Sequence, residues 1–380
     1  MELELTSDQE FFAETTGRFL ADSVPVQALR EMRDDPVGFD RDYWRQGAEL
    51  GWTSLLVDEE DGGGSISGGG VNDLALVAYG FGRHAAPGPL LSGNIVAAAL
   101  SRGGTDAQRS DVLQSIISGE TIGSWAWAEP RPHSGLGTVT VQAVSSGDGY
   151  VLSGVKGPVE YGANAEHFLV VARADGGLSQ LLVPADATGV TVTPMQTVDL
   201  SRRFATVSFQ DVHVDADGVV GDAGRAEPDV ERQLHLALVI QLAEMVGAMD
   251  VAFEMTVDWA FNRYSFGRPL ASYQELKHRF ADMKVWLEAS HAMADAAARA
   301  VQADAPDAAE IVSAGKAYVG QFGPELMHDC VQMHGGIGVT FDHDLHLYLR
   351  RVVLDTQLFG TVHEHRERLT GILEAREAAA

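Results

Sequence analysis

Two short segments in the last third of the chain combine residue types that bind phosphate with breaks in a helical pattern. The first is Arg263-Tyr-Ser-Phe266-Gly267, where Gly267 and the nearby Pro269 end the preceding helix. An arginine at such a break can direct its planar N–H donors at a phosphate. A solvated arginine beside a turn is the alternative, and the residue types alone do not separate the two.

The second segment is glycine-rich and follows an apolar helical stretch. It reads Gln332-Met-His-Gly335-Gly336-Ile-Gly338. Glycines let the backbone approach a ligand closely, and free N–H groups there can bind an anion. An ordinary helix C-cap is the alternative, but one glycine would be enough for that. Three glycines in four positions therefore favour contact with a ligand.

Other candidate binding residues lie in the middle of the chain. Trp125 and Trp127, just before Glu129-Pro130, could stack on a flat ring, although tryptophans are more often part of a core. The pair Arg202-Arg203 could meet a phosphate, or could be a charged turn.

The charge of the chain limits the class of partner. The 380 residues carry a net charge of -27, and 45% of them are hydrophobic. We therefore expect neither nucleic acid nor an anionic membrane surface as partner. An anionic ligand would need a local cluster of arginines. We see no apolar run of about 18 residues that would span a membrane, and no leader in the N-terminal sequence.

Cysteine and histidine usage indicate the compartment and the absence of a metal. The single cysteine, Cys330, excludes an intrachain disulfide and suits a reducing cytoplasm. It lies in an apolar stretch, where a core position is more usual than a catalytic thiol. The 13 histidines have no recognised ligand spacing, so we predict no metal site.

Three regions follow one another along the chain, and we place their boundaries at 1–121, 122–224 and 225–380. The first is helical, with a capping box predicted at Ser7–Glu10, helices over 71–83 and 106–118, and a glycine-rich loop between 61 and 70.

The second region alternates polar and apolar residues in short runs. Its predicted strands cover 138–144, 168–172, 180–183, 190–193 and 205–209. Such spacing predicts a β-sandwich or barrel.

The third region is helical to its end. An apolar stripe with helical spacing consists of Leu238, Leu242, Met245, Met249 and Phe253. A second stripe lies between 276 and 287, and together they predict an antiparallel four-helix bundle in an α+β multidomain protein.

These segments resemble the acyl-CoA dehydrogenase family over nearly the whole chain. The most specific matches are Arg263-x-x-Phe266-Gly267 and Gln332-x-x-Gly335-Gly336-x-Gly338. Weaker matches are Asp58-Glu-Glu-Asp-Gly-Gly63, Ala128-Glu129-Pro130 and Phe209-Gln-Asp-Val-His-Val214.

The resemblance implies FAD as cofactor, an acyl-CoA substrate, an oxidoreductase and assembly as a tetramer or dimer. It also implies residues that bind the pyrophosphate and adenosine of an FAD held by a neighbouring subunit. These residues are Arg263, Phe266, Gln274, Gln332, Gly335 and Gly336.

The family mechanism needs a carboxylate that removes the α-proton while the β-hydrogen leaves as hydride to the flavin. By resemblance, the usual positions of this base are Phe359 and, in another branch, Ala237, and neither side chain accepts a proton. Glu244, two helical turns beyond Ala237, is a candidate substitute base. The alternative is an exposed or salt-bridged glutamate.

The β region also departs from the family pattern. Gly154-Val-Lys156-Gly157-Pro158-Val-Glu160-Tyr161 replaces a Trp-Ile-Thr segment that packs on the flavin. We infer a degenerate flavin-ring site in this chain. The combination resembles one subunit of the heteromeric enzymes that oxidise steroid side-chain thioesters. A non-catalytic partner subunit and a homomeric flavoenzyme with a relocated base are the alternatives.

Overall fold

Helices build the first part of the chain in the computed structural model, which describes residues 5–130 and 138–379. Residues 1–4, part of the N-terminal segment in which no leader was predicted, lie outside the described residues. The helices are α1 Ser7–Ser23, α2 Val26–Leu29, α3 Arg41–Glu49, α4 Gly70–His84, α5 Leu90–Gly103, α6 Asp106–Gln108 and α7 Gln114–Ile117. A π-helical turn joins α6 to α7, so the predicted helix over 106–118 is continuous but irregular.

The capping box of α1 begins one residue earlier than predicted. Thr6, not Ser7, is the N-cap, and its hydroxyl accepts a hydrogen bond from the Gln9 N–H at 3.2 Å. The Gln9 side chain accepts in return from the Thr6 N–H and also donates to Asp73. This buried contact with α4 fixes the register of the cap.

The glycine-rich loop before α4 packs against its own chain. A Cβ on Gly63 would lie 2.1 Å from the carbonyl oxygen of Val57, and one on Gly70 would lie 1.9 Å from that of Leu55. Gly63 and Gly70 are needed because two backbone segments touch, whereas a Cβ on Gly64 or Gly68 would meet no atom within 4 Å among the described residues.

Within the described residues, eight strands form one sheet in the middle of the chain. They are β1 Gly123–Ala126, β2 Gln142–Ser146, β3 Gly149–Glu160, β4 His167–Ala174, β5 Gly177–Pro184, β6 Val190–Met195, β7 Phe204–Val214 and β8 Val219–Val220. The order is β6-β7-β3-β2-β4-β5-β8, and β1 pairs with β4 in parallel. Side chains from both ends of this order contact one apolar cluster, so the sheet curves around its own core.

The longest strand, β3, was not among the predicted strands. From its middle onward it contains Gly154, Gly157 and Pro158, which interrupt the alternation of polar and apolar residues. The pairing of β3 with β7 shifts register at two places, and these irregularities accommodate the interruption.

Long helices form the last part and confirm the predicted bundle. They are α8 Glu227–Asn262, α9 Gln274–Gln302, α10 Ala308–His334, α11 Leu345–Asp355 and α12 Val362–Ala379, with a small hairpin of β9 Tyr264–Ser265 and β10 Arg268–Pro269 between α8 and α9. The apolar stripe of α8 is buried at Leu238, Leu242, Met245 and Met249 and partly buried at Phe253. Cys330 is buried as predicted, and burial raises its pKa to about 12.

Helix α8 is the central helix of the molecule. Among the described residues it has the length and hydropathy of a membrane span, but 89% of its most apolar window is buried. It packs against α4, α9, α10 and α11, and this packing accounts for its apolar sequence. The domain boundaries at 121/122 and 224/225 stay predictions.

Candidate functional site

The first predicted binding segment forms a tight hairpin at the end of α8. Arg263 caps the helix in an extended conformation. Phe266 and Gly267 both have positive φ values, 48° and 80°, and the side chain of Phe266 is 97% exposed. A phenylalanine held in this conformation and fully exposed indicates a surface that another molecule covers.

The second segment ends α10 on the same side of the bundle. Gly335 has φ 66° and ψ -142°, a conformation that favours glycine. A Cβ on Gly335 or Gly336 would meet no atom within 4 Å among the described residues, so the backbone there is open to a ligand. Gly338 differs, because a Cβ there would collide with the Val331 carbonyl oxygen, so this glycine serves packing.

One aromatic side chain joins the two segments. The Arg263 guanidinium carbon lies 5.7 Å from the centre of the Trp259 ring, and that ring stacks on His334 at 5.2 Å. Gln274 and Gln332 are also exposed. We call Arg263, Phe266, Gln274, Gln332, Gly335 and Gly336 the bundle-end surface. Their roles in cofactor binding stay predictions, but their exposure suits a ligand that is shared with another chain.

A cavity of about 620 Å³ lies between the sheet and the helices. Its lining includes the start of α5, the end of β3 and the segment 357–364. Trp125, Trp127 and Phe359 form an aromatic wall in which the three rings lie within 20° of parallel, with centroids 5.5 to 6.4 Å apart. The tryptophans are buried, as the core alternative predicted, and they also line this cavity.

Two buried polar atoms of the cavity lining lack a partner among the described residues. They are the indole Nε1 of Trp125, a donor, and the Oε2 of Glu160, an acceptor. Buried indole N–H groups usually find a hydrogen-bond partner. A bound water or a ligand edge that carries an acceptor and a donor would satisfy both atoms.

A buried ion pair supports the strand that carries the tryptophans. The Lys156 ammonium donates to the Trp127 carbonyl oxygen at 2.9 Å and to Glu129 at 3.0 Å. Burial lowers the pKa of Lys156 to about 8, although Glu129 opposes this. Burial alone would raise the pKa of Glu129, but Lys156 and Thr140 outweigh it and hold the value at about 2. Glu129 is therefore an ionised structural group.

The two usual positions of the base carry no proton acceptor. Ala237 is fully buried on α8. Phe359 has φ 58°, and its carbonyl oxygen accepts a hydrogen bond from the His365 ring at 2.9 Å. The side chain of Phe359 in this turn is a phenyl ring that belongs to the aromatic wall.

Glu244 lies in a buried network of charges where α8, α11 and the segment before β7 meet. Its carboxylate pairs with Arg351 and lies 3.7 Å from Arg202. Arg351 is fully buried and also pairs with Asp199. Glu244 does not line the 620 Å³ cavity. These contacts favour the salt-bridged alternative, and a catalytic role for Glu244 stays a prediction.

The pair Arg202-Arg203 does not present a free phosphate site. Arg202 is buried and donates to Glu160 at 2.9 Å and to Asp355. Arg203 donates to carbonyl oxygens, including those of Asp35 at 2.8 Å and Leu200 at 2.8 Å. Both guanidiniums are used within the chain, which favours the structural alternative over a phosphate contact.

The sequence did not predict roles for Lys156, Glu160 and Arg351. Lysine and arginine are rarely buried without a partner. The position of Lys156 and Arg351 inside apolar segments is therefore the sequence signal that could have identified these two residues. Their partners lie 27 to 152 residues away along the chain, and the sequence does not show these distances.

Comparisons with known proteins agree along the whole chain. Family models match in three parts: acyl-CoA dehydrogenase N-terminal domain at 6–120, middle domain at 124–212 and C-terminal domain at 228–371. Acyl-CoA dehydrogenase IpdE2 of Mycobacterium tuberculosis is 29% identical over 366 residues, which are 95% of this chain and 96% of that protein.

Two further similarities come from the same organism. Acyl-CoA dehydrogenase FadE27 of Mycobacterium tuberculosis is 30% identical over 321 residues, covering 82% of both chains. The structure of the ChsE4–ChsE5 complex from Mycobacterium tuberculosis has a TM-score of 0.88 at 27% identity, covering 98% of this chain and 99% of that one.

Proposed function

Because this chain belongs to the acyl-CoA dehydrogenase family, we propose that it takes part in the FAD-dependent α,β-dehydrogenation of an acyl-CoA thioester as one subunit of a heteromer. The partner would be a second member of the family that supplies the catalytic carboxylate. The reaction removes a proton from the α-carbon and a hydride from the β-carbon, and FAD supplies the hydride acceptor when it is bound.

The observation that carries this proposal is the chemistry of the cavity wall. Phe359 and Ala237 occupy the two positions where the family places its base. Of the carboxylates that line the cavity, Glu129 is held by Lys156, Glu160 is paired with Arg202, and Glu364 accepts hydrogen bonds from Thr361. Because each of these carboxylates already has a partner within the chain, the wall suits a subunit that contributes binding rather than proton transfer.

The bundle-end surface would hold the phosphate and adenosine parts of FAD. Arg263 offers N–H donors to the pyrophosphate, and Gly335 and Gly336 leave room for a ligand against the backbone. The exposed ring of Phe266 would be covered by the cofactor or by the neighbouring subunit.

Two features of the cavity concern the binding of the flavin ring. Where the family has a Trp-Ile-Thr segment that packs on the flavin, the segment 154–161 of this chain contains no tryptophan. The orphaned Trp125 Nε1 and Glu160 Oε2 nevertheless suit a flat ligand with a polar edge. We propose that the ring site is catalytically incomplete rather than closed. In this proposal the residues of this chain bind the ligand and exclude water from it, but they do not transfer a proton.

The assembly of a relative supports the choice of a heteromer. The ChsE4–ChsE5 complex joins two different chains, and one of its chains has the same fold over nearly its full length. A tetramer with two copies of each subunit, in the cytoplasm, is the arrangement we propose. The acyl group, whether a fatty acid or a steroid side chain, would be set by the partner's pocket together with the aromatic wall.

A homomeric enzyme is the second candidate, and it has one observation in its favour. Glu160 lines the cavity, one of its oxygens is unpaired, and burial raises its pKa although Arg202 opposes this. In such an enzyme Glu160 or Glu244 would replace the missing base. A non-catalytic subunit that only completes the partner's FAD site is the third candidate, and it predicts binding without any turnover by this chain alone.

A comparison of the purified chain alone with the chain co-expressed with a neighbouring family gene distinguishes these candidates. If the enzyme is a heteromer, the chain alone should contain little flavin, and acyl-CoA should not reduce that flavin. After co-expression the complex should be yellow and active. In that complex Arg263→Gln should weaken FAD binding at least tenfold, the order expected for a charge-assisted hydrogen bond. Arg18→Gln, an exposed arginine on α1, is the matched control.

A further inference from the structure

A second cavity, of about 250 Å³, lies where the three parts of the chain meet. Its wall comes from the end of α5, from β5 and β8, and from the first turns of α8. Three arginines line it, namely Arg102, Arg225 and Arg232. Two carboxylates, Asp222 and Asp229, also line it, so the guanidiniums exceed the carboxylates by one charge, which is a local positive excess in a chain with 27 basic and 54 acidic residues.

The charges around this cavity leave donors unused. Arg102 pairs with Asp229 at 3.1 Å, and Arg232 pairs with Asp304. A guanidinium has five N–H donors, so an ion pair with one carboxylate leaves some donors of Arg102 and of Arg232 free. Arg225 is exposed and forms no ion pair with any residue in the described ranges. Burial lowers the pKa of Arg232, and the nearby charge of Arg102 lowers it further.

The backbone around the cavity is fixed before any ligand binds. The Gly221 N–H donates to the Gly103 carbonyl oxygen at 2.8 Å, and a Cβ on Gly103 would lie 3.1 Å from Gly221 N. Further along, the Gly224 N–H donates to the Ser179 hydroxyl at 2.7 Å. The segment that carries Arg225 is thus tied to both the first helical part and the sheet.

The floor of the cavity contains a buried amide pair with a free end. The Gln233 side chain is 4% exposed and donates to Gln180 Oε1 at 2.9 Å, while its own Oε1 has no partner among the described residues. The two amides can exchange the donor and acceptor roles, so Gln233 can present either an oxygen or an NH₂ group. A hydrogen phosphate group can satisfy both, since it donates and accepts.

We propose that this cavity is a binding site for a phosphate group, held by Arg102, Arg225 and Arg232 above the Gln233 amide. Guanidiniums match the geometry of phosphate oxygens, and the α8 N-terminus adds its positive dipole. The volume exceeds that of a single phosphate, so both inorganic phosphate and the phosphate of an ester fit this chemistry. Nothing in the proposal depends on the dehydrogenase reaction, because the site lies apart from the cavity with the aromatic wall.

The test is titration of the assembled complex with phosphate at constant ionic strength, with sodium chloride as the reference salt. Binding is followed by calorimetry and by the thermal midpoint. We expect saturable binding that Arg225→Gln weakens about tenfold or more, since one charge-assisted contact is lost. Arg225 is exposed and unpaired, so this variant should fold, and circular dichroism checks that it does.

Two further variants sharpen the result. Asp222→Asn removes a negative charge from the lining and should strengthen phosphate binding about threefold. Arg18→Gln, on the exposed surface of α1, should leave it unchanged. Adenosine 3′,5′-bisphosphate distinguishes the sources: tighter binding than inorganic phosphate identifies an ester, and equal binding identifies free phosphate. Absent saturation, or equal affinity in wild type and Arg225→Gln, would overturn the proposal.

Discussion

Replacing Glu244 by glutamine separates a structural carboxylate from a catalytic one. The substitution keeps the shape of the side chain and removes its charge. Glu244 pairs with Arg351, which is fully buried, and lies 3.7 Å from Arg202. We expect the free energy of unfolding to fall while turnover of the assembled enzyme stays the same.

The size of the effect follows from these contacts. Hydrogen bonds to charged partners contribute about 1.5–3 kcal/mol each, and breaking a buried pair costs about 3–5 kcal/mol. Because glutamine keeps one neutral hydrogen bond, about 3 kcal/mol is the expected loss. For 380 residues the entropy of unfolding is about 0.8 kcal/mol per kelvin, so the thermal midpoint should fall by about 4 °C.

Urea unfolding, scanning calorimetry and acyl-CoA turnover of the complex provide the assay. The matched control is Glu254→Gln on the same helix, which breaks an ion pair with Arg83 at 2.9 Å. The Glu254 side chain is 59% exposed, so this control should lose less than about 1 kcal/mol. A thousandfold loss of turnover in Glu244→Gln without loss of stability would refute the reasoning and make Glu244 the base.

Three further predictions concern stability and assembly. Lys156→Met removes the cation that pairs with Glu129 and should cost about 3–5 kcal/mol. Because the pKa of Glu129 is about 2, the stability that its ionised form contributes above pH 4.5 is lost between pH 4.5 and 2 in the wild type. Acid unfolding should therefore begin at higher pH in the variant. Burial lowers the pKa of His365 to about 4, so between pH 6.5 and 4 the unfolded chain binds a proton at this residue and the folded chain does not. The free energy of unfolding therefore falls as the pH drops from 6.5 to 4. His365→Gln should reduce this fall, measured by urea unfolding, by on the order of 3 kcal/mol. Phe266→Ser should leave the stability of the isolated chain unchanged within about 0.5 kcal/mol but weaken subunit association in analytical ultracentrifugation, because the ring is exposed. An unaltered acid profile in the first two variants, or unaltered association in the third, would contradict these accounts.

Local patterns predicted much of the architecture. The apolar stripe of α8 and the strands around 168–172 and 180–183 follow from periodicity, because burial of one face repeats along each element. The β3 strand was missed because Gly154 and Pro158 break the alternation while the pairing continues through register shifts.

The site was predictable where it depends on backbone conformation. Gly335 occupies a positive-φ position that its residue type signals, and Arg263 caps a helix that its neighbours end. The network around Arg351 was not predictable, since its partners Asp199, in the segment before β7, and Glu244, on α8, lie 152 and 107 residues away along the chain. The same holds for Lys156 and Glu129, whose pairing depends on β3 crossing β1.

The amount of flavin per chain, measured together with reduction of that flavin by acyl-CoA, distinguishes one subunit of a heteromer from a self-sufficient enzyme. We expect the purified chain alone to be nearly colourless and inactive, and the co-purified heteromer to be yellow, active and inactivated by removal of the partner's carboxylate. One flavin per chain in the isolated protein, bleached by acyl-CoA without any partner, would contradict this expectation.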